Sequence, residues 1–184
     1  MKMPPILKAG ILICGALTLA SCSNSHAPLE TVKNLDPQRY QGQWHEVARL
    51  PNFFEHNVVA ARATYGEIPG SKSLSVLNEG VKVDGKRTRI SGAASLVGQS
   101  PVDEAELKVR FNRFPASLFA GDYWILDLNE QHTRAVVGTP NRKYLWLLSK
   151  DPSDQVEDFT VPLKKMKHKG FAVENLIVNP KRIK

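Results

Sequence analysis

Cysteine is scarce in this chain of 184 residues. Its two cysteines, Cys14 and Cys22, lie near the N-terminus, so a domain downstream of them has no disulfide and must be stabilised by the packing of its core. The length is sufficient for one domain with a full core. Histidine is also sparse, and no two of the five histidines lie four positions apart. A helical pair of zinc ligands is therefore missing, and we predict no metal site.

The N-terminal apolar run is short. It covers residues 11–20, about half of the roughly twenty residues that a membrane-spanning helix needs. It follows the basic residues Lys2 and Lys8 and ends in LASC at residues 19–22, which resembles the lipobox of bacterial lipoproteins. We predict a lipoprotein signal peptide over residues 1–21, with a diacylglycerol and a fatty acyl group on Cys22 and no other cofactor. An ordinary signal peptide with an incidental cysteine is the alternative.

The residues after Cys22 are polar and contain few large apolar side chains. We interpret residues 22–34 as a lipidated tether and residues 35–184 as the folded domain. Ser23 stands where inner-membrane lipoproteins often carry aspartate, so the resemblance implies an anchor in the outer membrane, most simply on its periplasmic side. Several acyl chains on one cysteine would make this anchor durable.

Short alternating segments fill most of the folded domain, separated by turn residues at spacings of about eight to twelve. Eight such segments follow one another and predict an all-β fold, an eight-stranded antiparallel up-and-down barrel with room for one small ligand. The tail differs, because apolar residues recur at helical spacing over residues 154–169. Asp154 and Glu157 form a capping-box pattern, Pro162 kinks the helix or delays its start, and Gly170 is a natural stop. We expect this α-helix to pack outside the barrel.

The first strand carries a glutamate and a histidine whose side-chain directions matter for the barrel interior. Simple alternation places one set of its side chains on one face (Trp44, Glu46, Ala48 and Leu50) and the other set on the opposite face (His45, Val47 and Arg49). Glu46 would then point inward, and a buried carboxylate must be paired or have its pKa raised. We interpret Glu46 as a structural carboxylate, with recognition of a ligand's polar head as the alternative. His45 would face outward, at the surface or against the helix.

Three stretches resemble a known family. The segments YQGQWHEVARLPNFFE, DYWILDL and RKYLWLLSKDP, in this order, are similar to the lipocalins, and in particular to the bacterial outer-membrane lipoproteins of the apolipoprotein D-like branch. The resemblance implies that Trp44 plugs the closed end of the barrel and that Gly42 allows a close approach there. The family usually places an arginine across this tryptophan, whereas this chain has Lys150. Lysine retains a cation–π contact but lacks the planar fork for several carbonyl bonds, so we expect a looser closed end.

The resemblance also implies a cavity for a small hydrophobic molecule. Strand alternation gives the inward positions that would contact it: Val76, Asn78, Val109, Phe111, Tyr123, Ile125, Val137, Tyr144, Trp146 and Leu148. Asn78 and the two tyrosine hydroxyls can orient a polar head. Phe53 and Phe54 would stand at the open end, as a hydrophobic gate or as a contact in a homodimer. The alternative for all these residues is a solid core without a cavity.

The predicted function is that of a membrane-anchored binding or carrier protein, and not of an enzyme. Its ligands would be fatty acids and lysophospholipids, in storage, transport or repair of envelope lipids. A lipocalin-scaffold enzyme that uses Glu46 or a tyrosine is one alternative. A filled barrel that docks on partners through Phe53, Phe54 and the basic run at residues 164–169 is another. That run can also face anionic lipid. Nucleic acid is not an expected partner, because the aromatic residues belong to strands.

Overall fold

The computed structural model describes residues 28–71, 73–97, 105–113, 118 and 120–183. The predicted signal peptide and the acylation of Cys22 fall outside this part of the chain. Across the described ranges, no helix has the length and apolar character that crossing a membrane requires.

The dominant element is a single sheet of nine antiparallel strands. Each of the first eight strands pairs with its neighbours in the chain, and β1 pairs with both β2 and β8, so the sheet closes into a barrel. The elements are α1 (Pro37–Tyr40), β1 (Gly42–Arg49), β2 (Val58–Glu67), β3 (Leu74–Lys82), β4 (Arg87–Leu96), β5 (Glu106–Phe111), β6 (Ala120–Leu128), β7 (Arg134–Gly138), β8 (Leu145–Ser149), α2 (Thr160–His168) and β9 (Ile177–Val178). The predicted eight-stranded up-and-down barrel is confirmed. The short β9 adds to the edge of β1.

The two ends of the barrel differ. At the closed end, α1 leads directly into β1, and Asp36 caps this single turn by accepting hydrogen bonds from the amides of Gln38 and Arg39. Because the strands alternate in direction, the connections after β1, β3, β5 and β7 all lie at the opposite end. We call this opposite end the mouth.

Two apolar clusters stabilise the fold. The interior cluster lines the inside of the barrel and includes Tyr40, Trp44, Val76, Ile125 and Leu148. The outer cluster lies between the barrel wall and the C-terminal helix. Its members include Val47, Leu126, Leu147, Phe159, Met166 and Phe171. The helix therefore packs outside the barrel, as the sequence predicted.

The strand β1 contains a β-bulge that the alternation pattern did not reveal. Glu46 and Ala48 pair with consecutive residues of β8 although Val47 lies between them. Beyond the bulge the faces are exchanged: Ala48 and Leu50 pack in the outer cluster, while Arg49 lies opposite the inward Trp146. The predicted sides of Ala48, Leu50 and Arg49 are therefore wrong. An extra residue in one strand shifts the period of two by one, and only the partner's register shows it.

The start of the C-terminal helix also differs from prediction. The amide of Gln155 donates to Asp158 Oδ2 at 2.8 Å, so the capping interaction lies one residue after the predicted pair Asp154 and Glu157. Asp154 instead accepts from Arg134 Nε at 2.6 Å and from Ser149 Oγ at 2.6 Å, because both groups reach it from the barrel wall. A 3-10 turn over Val156–Phe159 leads into α2. Pro162 lies in the first turn of α2, where its missing amide hydrogen is tolerated.

Candidate ligand-binding site

The interior of the barrel brings together most of the residues predicted to point inward. The interior cluster contains Val76, Val109, Phe111, Tyr123, Ile125, Val137, Trp146 and Leu148. Several are fully buried, whereas Phe111, Tyr123 and Trp146 face the same interior and are only half-buried. Because these three side chains point inward and are still partly exposed, solvent reaches the space beside them. The arrangement can hold a small apolar molecule between apolar and aromatic walls.

Three tyrosines form a hydrogen-bonded chain inside the barrel. Tyr65 donates its hydroxyl hydrogen to the hydroxyl of Tyr123 at 2.8 Å, and the hydroxyls of Tyr123 and Tyr40 are also 2.8 Å apart. Burial raises the pKa of all three hydroxyls, so they stay protonated at neutral pH. Three hydroxyl groups share two hydrogen bonds, which leaves one hydroxyl hydrogen to donate to a ligand. The sequence indicated Tyr123, but Tyr40 and Tyr65 were missed because they come from other elements.

Asn78 presents a polar atom to the same interior. It lies two positions after Val76 on β3, and its register partners are Ala63 of β2 and Ile90 of β4. Its Oδ1 is buried and accepts no hydrogen bond within the part of the chain that the structure describes. A buried unpaired acceptor costs about 1–3 kcal/mol, which a ligand hydroxyl or a protonated carboxyl can recover.

A charged network lies near the mouth, where β1 ends. Arg49 Nη1 donates to Glu46 Oε1 at 2.8 Å and to Asn179 Oδ1 at 2.9 Å. Its Nη2 donates to the carbonyl oxygens of Glu55 and Val58 at 2.9 and 3.0 Å. The guanidinium therefore joins β1, the connection to β2 and the C-terminal segment. Sequence reasoning missed this role, because Asn179 is 130 residues from Arg49.

Glu46 lies inward, as predicted, and its protonation is unusual. Burial and the neighbouring carboxyl of Glu55 raise the pKa of Glu46 to about 8, although Arg49 acts in the opposite direction. Glu46 therefore keeps its proton to a higher pH than an ordinary glutamate does, although it lies 2.8 Å from the guanidinium of Arg49. Glu55 Oε2 also accepts from the indole of Trp146 at 3.1 Å. This contact connects the network to the aromatic wall of the interior.

Aromatic rings cover part of the mouth. Phe54 lies 5.4 Å from the ring of Tyr144 and 6.3 Å from that of Trp146, measured between ring centres. Phe53 contacts Phe54 edge-on at 5.1 Å and is otherwise exposed. Tyr144 therefore lies at the entrance and not deep in the barrel. The two phenylalanines stand at the open end, where the sequence placed them.

The closed end is held by Trp44 and Lys150. The Lys150 ammonium lies 5.0 Å from the centre of the Trp44 ring and donates to the carbonyls of Arg39 and Gln41 at 2.7 and 2.8 Å. Gly42 has a φ of +102°, a conformation that favours glycine. A closed end looser than is usual for the family stays a prediction, although the Lys150 ammonium reaches two carbonyls and the Trp44 ring at once.

Groups suited to metal binding are not assembled in the described residues, where no three histidine, cysteine or acidic side chains come together.

The barrel closure, the plugged end and the apolar interior below an open mouth define a β-barrel of the small-ligand-binding class. The model of the Lipocalin-like domain matches residues 35–181. The chain belongs to the lipocalin family, whose members bind small hydrophobic ligands.

The similar proteins come from bacteria, plants and animals. The chain is 36% identical to temperature-induced lipocalin-1 of Arabidopsis thaliana over 156 residues, which covers 83% of this chain and 82% of the relative. It is 32% identical to the outer membrane lipoprotein Blc of Escherichia coli over 182 residues, which covers 96% of both chains. Insecticyanin from the tobacco hornworm shares the fold with a TM-score of 0.66, at 21% identity, over 84% of this chain and 85% of its own.

Proposed function

We propose that this protein binds and carries single-chain amphiphiles, such as fatty acids and lysophospholipids. The observation that carries the proposal is the combination of apolar walls with two unused polar groups in one interior. These groups are the Asn78 acceptor and the spare hydrogen of the tyrosine chain. An acyl chain gains about 0.8 kcal/mol per buried methylene, before the cost of ordering it, and the polar groups fix its head.

We further propose that the carrier is anchored in the outer membrane through acylated Cys22, facing the periplasm. The proposal is supported by the LASC motif at residues 19–22 and by the similarity to bacterial outer membrane lipoproteins over nearly the whole chain. Storage, transport or repair of envelope lipids are the roles that such an anchored carrier serves.

Lipid titration followed by native mass spectrometry tests the binding. The full chain is extracted from its own membrane and titrated with a lysophospholipid and with a fatty acid. We expect one bound amphiphile per chain at micromolar concentration. A millimolar dissociation constant corresponds to a binding free energy of about −4 kcal/mol. If no complex formed below roughly millimolar ligand, the proposal would be contradicted.

A matched pair of tryptophan substitutions shows whether the ligand is inside the barrel. Ala63 of β2 faces the interior, where it lies opposite Trp44 and Asn78. Ala93 of β4 lies on the other face, opposite Ser75. Ala63→Trp is expected to abolish uptake while the far-ultraviolet circular dichroism stays that of a barrel, and Ala93→Trp is expected to preserve uptake. Equal uptake by the two variants would exclude an interior site.

A further inference from the structure

The N-terminal end of the described chain lies on the flank of the barrel near the mouth. Leu29 packs in the outer cluster, and Glu30 Oε2 lies 4.0 Å from Lys169 Nζ. The carbonyl of Lys169 accepts from Arg142 Nε at 3.3 Å, and Arg142 belongs to the β7–β8 turn at the mouth. Further along, the amide of Val32 donates to the carbonyl of Ile125 at 2.9 Å. The chain therefore joins the fold near the mouth and runs from there to the closed end.

The distance from this entry point to the lipid is limited. Pro28 lies six positions after Cys22, and six extended residues span about 20 Å. A ten-residue strand such as β2 spans roughly 30 Å. From an entry point near the mouth, a lipid on Cys22 can therefore reach a membrane beside the mouth, but the tether is too short to reach the closed end.

Large apolar side chains are exposed at the mouth, on three separate connections. Phe53 is 82% exposed and Phe54 52% exposed after β1, Val83 is 72% exposed after β3, and Leu118 is 61% exposed after β5. The amide of Val83 donates to the carbonyl of Asn57 at 2.9 Å, which holds the first two connections side by side. Exposed apolar groups collected at one end of a domain indicate a surface that meets an apolar partner.

Positive charge accompanies these apolar groups. Exposed basic residues lie on three connections at the mouth: Lys86 and Arg87 at the β3–β4 turn, Arg113 after β5, and Lys143 before β8. None of the four forms an ion pair among the described residues, and Asp84 is the exposed acid of the β3–β4 turn. The closed end carries the exposed acids Glu67, Glu130 and Asp151 beside the exposed base Arg39. The mouth is therefore the more positive end of the barrel, and an anionic surface attracts it more strongly than it attracts the closed end.

We propose that the mouth docks on the anionic lipid surface of the membrane that holds the anchor. The inference rests on the proposed anchor at Cys22 and adds the orientation of the barrel to it. In this orientation Phe53, Phe54 and Val83 contact the head-group region while the basic residues meet lipid phosphates. An amphiphile then passes between bilayer and barrel without crossing water.

Fluorescent labels at the two ends test this orientation in the full, lipid-anchored chain. Once Cys14 has left with the signal peptide and Cys22 is acylated, introduced cysteines are the only free thiols. Val83→Cys at the mouth and Ser71→Cys at the closed end are each labelled with NBD, in vesicles of phosphatidylethanolamine and phosphatidylglycerol. We expect spin-labelled lipid to quench the label at position 83 and aqueous iodide to quench the label at position 71. Equal quenching, or the reverse pattern, would overturn the proposal. Shielding that persists in detergent together with a doubled mass would also overturn it, in favour of a second copy.

A second measurement separates docking from anchoring. The Cys22→Ser chain is sedimented with the same anionic vesicles. Lys86→Glu with Arg87→Glu is expected to weaken this binding about tenfold, since each basic residue near an anionic surface adds attraction. The matched pair Lys164→Glu with Lys167→Glu on α2 is expected to change it by less than about twofold. Equal losses in both pairs would overturn docking through the mouth. A failed lipid titration with both orientation results intact would instead overturn the carrier function alone.

Discussion

At the scale of single residues, Asn78 shows how binding and stability oppose each other. Its buried Oδ1 has no partner in the described part of the chain, so the unliganded barrel is less stable than one with an apolar residue at that position. A ligand that donates a hydrogen bond removes this cost.

Replacing Asn78 by leucine separates the two effects. Asn78→Leu has a similar volume and removes the unpaired acceptor, so we expect the free energy of unfolding to rise by about 1–3 kcal/mol. Lysophospholipid affinity should fall about fivefold, because one hydrogen bond of about 1 kcal/mol is lost. Urea denaturation and native mass spectrometry measure the two quantities. Ser75→Val, on the outward face of the same strand, is the control and should leave the affinity unchanged. A stability loss in Asn78→Leu would show that the acceptor is already satisfied.

Glu46 makes stability depend on pH between 4.5 and about 8. Burial and Glu55 raise the pKa of Glu46 from 4.5 to about 8, so the folded chain keeps a proton that the unfolded chain releases near pH 4.5. Stability from this proton is complete below pH 4.5 and is lost as the pH rises through about 8. The pKa of His45 is lowered from 6.5, mainly by burial, so its effect is confined to more acidic conditions.

We therefore expect the unfolding temperature to fall as the pH rises from 6.5 to 8, the interval between the ordinary histidine pKa and the raised pKa of Glu46. Glu46→Gln carries no titrating proton and should flatten this slope. Differential scanning calorimetry at several pH values measures it. An equal slope in both proteins would show that another group binds the proton.

At the scale of elements, the bulge in β1 explains what the sequence could and could not predict. Regular alternation located eight strands, and the barrel has eight. The alternation fails after Glu46, because Val47 is an extra residue in the strand and the side chain of Arg49 therefore turns to the inner face. The charged network depends on that turn and on Asn179, so its partners come from distant parts of the chain. The tyrosine chain was missed for the same reason, because Tyr40, Tyr65 and Tyr123 meet only after barrel closure.

Asn179, in the segment after β9, hydrogen-bonds both charged side chains of the Arg49–Glu46 network. Asn179 accepts from Arg49 at 2.9 Å and donates to Glu46 Oε1 at 2.9 Å, so its amide satisfies both charged groups. Asn179→Ala should lower the free energy of unfolding by about 2 kcal/mol, because buried partners lose their hydrogen bonds. Asn175→Ala, at an exposed position just before β9, should change it by less than about 0.5 kcal/mol. Urea denaturation compares the two variants, and equal values would mean that water replaces the amide.

The closed end depends on one lysine that connects α1 to the last strand of the barrel. Lys150 has three partners there: the Trp44 ring and the carbonyls of Arg39 and Gln41. Lys150→Met keeps the length and removes the charge, and it should lower the free energy of unfolding by about 1–2 kcal/mol. Lys150→Arg, which can restore the same contacts, is the control. If Met and Arg give the same unfolding temperature, the charged contacts contribute nothing.

At the scale of the whole molecule, the two ends of the barrel have different tasks. The closed end is fixed by Trp44, Lys150 and the tyrosine chain, whereas the mouth exposes Phe53 and basic residues. The chain enters near the mouth, so the proposed anchor holds that end close to the lipid surface. A carrier built in this way exchanges its ligand at one end and keeps its rigidity at the other.

The proposed orientation of the barrel depends on the acyl anchor at Cys22. A protein with several acyl chains on Cys22 stays with the membrane, because each buried methylene adds about 0.8 kcal/mol and one chain alone binds only marginally. Cys22→Ser removes the acylated group and should move the domain to the soluble periplasmic fraction. Cys14→Ser changes the other cysteine, inside the predicted signal peptide, and should leave the protein in the membrane fraction. Cell fractionation followed by immunoblotting compares the two. If Cys22→Ser stayed with the membrane even in high salt, something other than acylation would hold the protein there, and the exposed groups of the mouth would be the first surface to test.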